Sequence, residues 1–137
     1  MAKPPVEVSL EWTHELVFAS QLGDRPGPVI DSEGLEGASP VQALVVALGS
    51  CMAVDVVMIL QKGRHDLAGL RVHVVGTRVD GPPAYVTGYR IEYTVRGPVP
   101  DAAIQRALAL SRDTYCSVWH SLRPDATLEV TYTRVDD

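Results

Sequence analysis

Two cysteines, Cys51 and Cys116, carry the reactive chemistry open to this sequence. A thiol attacks an electrophile or binds a metal as the thiolate, and an isolated cysteine with a pKa of about 8.5 is mostly protonated at neutral pH. The neighbours therefore decide. On a helix, the residues three and four positions from Cys51 are Ala47, Leu48, Val54 and Asp55, of which only Asp55 is polar. A bare carboxylate raises a thiol pKa unless a cation pairs with both groups, and Arg25, Arg64, His65, Arg71 and His73 are candidate sources of that cation, among which the sequence does not choose. Cys116 follows Asp113 and Thr114, either of which can cap a short helix and place the thiol in its first turn, where the helix dipole favours thiolate. His120, four residues on, shares that face and can bond the sulfur or carry a proton; a merely packed or solvated histidine is the equal alternative. Trp119 and Tyr115, with Trp12 and Phe18, are candidates to line an apolar pocket, although ordinary core is the preferred reading for Trp12 and Phe18.

Two other readings stay open from the residues alone. Free cysteine is often just a small buried hydrophobe. The pairs Cys51/Asp55 and Cys116/His120, each at helical spacing, also make a four-ligand set that zinc accepts, though no Cys-x-x-Cys or His-Glu-x-x-His motif supports it.

The elements that must position these groups follow from periodicity. Val6, Val8, Leu10 and Trp12 alternate with polar residues, predicting a strand with one buried face, and Leu16 to Ala19 returns as its hairpin partner. Ser39-Pro40 starts a helix that runs without proline to Lys62 and ends at Gly63, roughly 24 residues or about 36 Å. Apolar residues surround it on nearly all sides, predicting a central, covered helix, and Gly49-Ser50 in its middle permits a bend or a close backbone approach. Leu70 to Val79 and Tyr85 to Arg96 form a second hairpin, a helix opens at Pro100-Asp101, a short helix is predicted over Tyr115 to Leu122, and a strand around Leu128 to Tyr132 closes the chain. The class is α+β, a mostly antiparallel sheet wrapped on a long helix, with residues 1–137 read as a single domain.

Composition narrows the function. The 12 basic and 17 acidic residues give a net charge of -5 with no basic stripe, which argues against nucleic acid or an anionic membrane surface as partner. The apolar run from Ala43 to Leu60 is interrupted by Gly49, Ser50 and Asp55, which favours a buried helix over a membrane span. The N-terminal residues lack a secretory pattern, so a cytoplasmic protein is expected.

Ser39-Pro40-Val41-Gln42-Ala43-Leu44 leading into Ala47-Leu48-Gly49-Ser50-Cys51, together with Tyr115-Cys116-Ser117-Val118, resembles the OsmC/Ohr family. Asp55 to Arg64 looks like its YhfA-type branch. The resemblance implies an OsmC-like fold, an intertwined homodimer with both long helices central, and reduction of organic hydroperoxides with an external dithiol as reductant and no metal or organic cofactor. By it, Cys51 is the peroxidatic and Cys116 the resolving cysteine, with Gln42, Asp55, Trp119 and His120 as candidate supporting residues. Peroxidase members have a glutamate ten positions before the first cysteine and an arginine in the N-terminal hairpin. Here Val41 stands at the former place with Gln42 beside it, and the hairpin holds no arginine or lysine. A binding protein of the same fold, with the cysteines lining a pocket for a small apolar ligand, is the alternative expectation; the metal-binding domain is the third.

Overall fold

Both hairpins predicted from alternation form in the computed structural model, which describes residues 2–135. The chain divides into two compact units with the boundary at Leu44/Val45, inside the long helix.

In the first unit, β1 (Ser9–His14) pairs antiparallel with β2 (Val17–Leu22), placing Trp12 opposite Phe18. The two-residue strands β3 (Arg25–Pro26) and β4 (Ile30–Asp31) add to β2. Asp31 is buried and accepts the backbone N–H groups of Glu33, Leu35 and Glu36, which folds the loop behind it and holds its carboxyl below the ordinary range. Contrary to the expectation of one buried face, every residue of β1 is exposed, and Trp12 and Phe18 are surface residues rather than core.

The long helix α1 (Pro40–Lys62) starts as the sequence predicts and through a fuller device. The Ser39 hydroxyl accepts the Gln42 N–H while the Gln42 side-chain oxygen accepts the Ser39 N–H, a reciprocal capping box. At the other end the left-handed residue is Arg64, with φ 62°, rather than Gly63.

In the second unit, β5 (Gly69–Arg78) and β6 (Val86–Arg96) form a ten-pair antiparallel ladder, and β7 (Thr127–Val135) adds to β6 in parallel. The parallel closure follows from α2 (Asp101–Leu110) and the turns after it, which carry the chain back along the sheet. Tyr132 of β7 ties α2 down by donating to Asp101 and accepting from Gln105. Leu48, Met52, Val56 and Leu60 of α1, at every fourth position, are buried together with Ile91, Tyr93 and Val95 of β6 and Ile104 and Ala107 of α2.

Within one chain α1 is thus covered on one face only, and Val46, Val54 and Met58 lie in the open. By length and hydropathy alone, 23 residues that include an 18-residue window at a mean hydropathy of 2.4, α1 meets the requirement for a membrane span, although the sequence suggested an interrupted one. Its buried stripe packs closely on protein: a Cβ at Gly49 would stand 2.8 Å from Val74 Cγ2 of β5. Gly49→Val is therefore expected to destabilise the fold by about 1–3 kcal/mol through overpacking, read as a lower urea midpoint with an unchanged slope.

Candidate functional site: a thiol pair between the long helix and a widened turn

Helical geometry makes 47, 51, 55 and 59 a stripe beside the core-facing one. Its polar members are Cys51, half-buried, and Asp55, whose carboxylate accepts a 2.8 Å hydrogen bond from the Ser111 hydroxyl. Ser111 opens the segment that holds the second cysteine. After α2, residues Ser111–Tyr115 widen into a π-helical turn, closed by the Cys116 N–H donating to the Ser111 carbonyl at 2.8 Å. The extra residue in that turn advances the chain by one position relative to an α-helix and leaves Cys116 extended, with φ -74° and ψ 100°. Its side chain is completely buried.

The two thiols are neighbours there, close enough that Cys51 disfavours ionisation of Cys116. Burial pushes the Cys116 thiol up to about 11; the Trp119 N–H, which donates to Cys116 Sγ at 3.4 Å, pulls the other way, while Cys51 and the Asp55 carboxylate push further up. Cys116 consequently holds its proton at neutral pH. The helix-dipole expectation is corrected: Cys116 precedes the one-turn 3-10 segment Trp119–Ser121 rather than lying in a helical first turn, and Asp113 pairs with Arg112.

His120 is placed differently from its expected role. Its Nδ1 lies 2.8 Å from the Cys116 carbonyl oxygen, not the sulfur; since a carbonyl only accepts, Nδ1 carries the proton. The four-ligand metal set is accordingly not assembled: among the described residues no three His, Cys, Asp or Glu side chains converge to hold a metal. Trp119 touches the site through its backbone, while its ring packs edge-on against Tyr89 at 6.2 Å and 87°. Gln42 is engaged in the helix cap. The cation sources also change. Arg71 and His73 lie on the opposite, exposed face of the β5–β6 sheet, whereas Lys62 and Arg106, not singled out from sequence, line a cleft of about 600 Å³ together with Asp55, Met58, Leu110 and Tyr115.

Ser111 is a site residue that the sequence did not reveal. Ser111→Ala would leave the half-buried Asp55 carboxylate without its hydroxyl donor. A loss of about 1–3 kcal/mol is expected in chemical denaturation, larger than for an exposed serine.

The match to known proteins runs through this geometry. The model of OsmC-like proteins matches residues 32–131, a span that includes both cysteines. The chain belongs to the OsmC family. It is 33% identical over 115 residues to Protein YhfA of Escherichia coli K12, covering 82% of this chain and 86% of that protein. Among solved structures, a hypothetical protein of Aquifex aeolicus VF5 superposes with a TM-score of 0.89 at 28% identity, covering 98% and 99% of the two chains. An organic hydroperoxide resistance protein OsmC of Legionella pneumophila superposes at 0.69 with 9% identity over 97% and 99%, a likeness of fold. The OsmC-like α+β fold expected from the sequence is thus the fold observed.

Proposed function

We propose that this OsmC-family chain is a thiol-dependent peroxidase that reduces organic hydroperoxides through Cys51 and Cys116, in a stress or detoxification role. The observation that carries this reading is the meeting of two thiols from distant elements, one reachable and one sealed. Cys51, the reachable one, attacks the terminal peroxide oxygen as thiolate; the O–O bond breaks, the alcohol leaves with a proton, and Cys51 becomes a sulfenic acid. Cys116 then attacks the Cys51 sulfur, forming the disulfide and releasing water. An external dithiol takes the disulfide back to two thiols. The fold similarity to a hydroperoxide resistance protein supports the substrate class. The whole chain acts as one domain in a cytoplasmic homodimer, and no metal or organic cofactor enters the cycle.

A second reading is favoured by one observation, the carboxylate of Asp55 beside the pair, which works against ionisation of Cys116. In it the same fold binds a small apolar molecule without turning it over. Adding one equivalent of cumene hydroperoxide to reduced protein separates the two. The peroxidase reading expects the alcohol, a mass lower by two hydrogens and a Cys51–Cys116 linked peptide; peroxide left unconsumed with both thiols still free leaves the binding reading.

A further inference from the structure

Ser111 is fully buried and is used twice. Its hydroxyl donates to the Asp55 carboxylate at 2.8 Å, and its carbonyl accepts the Cys116 N–H at 2.8 Å. Asp55 stands one helical turn from Cys51 on the same stripe of α1. A circuit closes: from Cys51 along one turn to Asp55, across the hydrogen bond to Ser111, through the π-helical turn to Cys116, and back to Cys51 as its neighbour. The thiols themselves aside, the Asp55–Ser111 bond is the one polar side-chain tie between α1 and residues 111–122 among the described residues. The other bonds to Cys116, from the Trp119 N–H to the sulfur and from His120 Nδ1 to the carbonyl, come from its own segment and travel with it. Apolar packing excludes water without fixing direction, whereas a hydroxyl-to-carboxylate bond is directional.

We propose that the Asp55–Ser111 hydrogen bond positions the thiol pair: it fixes the segment carrying Cys116 against the helix carrying Cys51 and so sets how readily the two sulfurs bond. Its use in turnover rests on the peroxidase reading, while the positioning itself requires only that the thiols can pair. In turnover the Cys116 thiolate attacks Cys51 Sγ, the S–S bond forms as the S–O bond of the sulfenic acid breaks, and the departing hydroxide takes up the proton that Cys116 released. Asp55 and Ser111 are positioning residues and undergo no covalent change. Displacing a reacting atom by about 1 Å costs up to about a hundredfold in rate, so loss of this tie lowers the effective concentration of one thiol at the other.

The test is the equilibrium of the Cys51–Cys116 disulfide in mixtures of reduced and oxidised dithiothreitol, with no peroxide present. The two protein thiols give two electrons and two protons to the dithiothreitol disulfide, which opens to the dithiol, and the oxidised fraction is read by mass. Asp55→Ala and Ser111→Ala are each expected to lower the equilibrium constant for closure by about tenfold, raising the midpoint potential by about 30 mV. Both remove the same bond, so the double variant should fall within about twofold of either single variant rather than losing the product of the two effects. Asp55→Asn keeps an acceptor oxygen for the Ser111 hydroxyl and should return the constant to within about twofold of the parent, which separates position from charge. Alanine is the best helix former, so Asp55→Ala with its Asp55→Asn rescue carries the test where Ser111→Ala fails to fold. A constant unchanged or raised in Asp55→Ala overturns the proposal, as do independent losses that multiply in the double variant. A parent whose cysteines never pair in dithiothreitol overturns it together with the resolving role of Cys116. Positioning upheld in protein that leaves cumene hydroperoxide unconsumed refutes the peroxidase reading alone.

Discussion

Replacing Cys51 with serine is expected to lower thiol-dependent hydroperoxide consumption by about three orders of magnitude or more, because a serine hydroxyl is not ionised near neutral pH and no second sulfur is placed to attack. Cys116→Ser is expected to behave differently. Its sulfur is buried and held protonated, so it takes no part in the first attack. One equivalent of peroxide should still be consumed by Cys116→Ser, leaving Cys51 as a sulfenic acid that dimedone traps, and steady turnover with a dithiol should then fall because the intramolecular disulfide cannot form. The single-turnover and steady-state rates of the two variants check this asymmetry. Equal loss of the first turnover in both would remove the assignment of Cys51 as attacking thiol. A reversed pattern would exchange the two roles.

The pH dependence follows from the same placement. Cys116 must lose its proton to resolve, and its thiol stands at about 11 in the reduced protein. Below that value the thiolate fraction rises tenfold with each unit of increase in pH. Disulfide closure should therefore accelerate with rising pH across the neutral range, while Cys51→Ser, which has no closure step, shows no such rise. A flat closure rate between neutral and moderately alkaline pH would mean that another group removes the Cys116 proton in concert with attack.

Much of this site was legible before any coordinates, and the parts that were not share a cause. Ser39-Pro40 marked the start of α1 because a cap and a helix-compatible proline act locally, and the alternation in β5 and β6 marked their shared wet face for the same reason. The thiol pair came from the family resemblance, since no local rule brings Cys51 on a helix to Cys116 beyond a turn. Ser111 was hidden because a π-helical turn has no residue signature and decides which side chains after it face inward. Tyr93 reads as one more alternating aromatic in a strand; only the lack of a partner for its hydroxyl among the described residues sets it apart, and that is a three-dimensional fact. Hydropathy also shows which residues avoid water without saying whether the same chain or a second copy covers them. The all-round apolar pattern of α1 predicts burial, yet one face is bare.

That bare face carries the second large effect expected of this protein. Val46, Val54 and Met58 are 63, 55 and 62% exposed, on the same helix whose Leu48, Met52, Val56 and Leu60 are sealed. Residues two positions apart on a helix point about 200° away from each other, so α1 offers two apolar faces and one chain covers only one. Beside it Val45, Val46, Gly49, Ala53, Val72 and Val74 line an apolar hollow of about 350 Å³. Exposed contiguous apolar surface of this kind is unstable in water, and a second copy related by a twofold axis would cover it with the same face. Glutamate at both Val46 and Val54 would then put like charges from each copy into the interface, where such juxtaposition costs several kcal/mol. The association constant is expected to fall by about a thousandfold or more, seen in sedimentation velocity as a shift from dimer to monomer at concentrations where the parent is dimeric. Thr133→Glu, on the exposed sheet face that carries Arg71 and His73, adds charge away from α1 and should leave the dimer intact. A parent protein that sediments as a monomer, or a double variant that remains a dimer with its helical circular dichroism unchanged, would require another cover for α1.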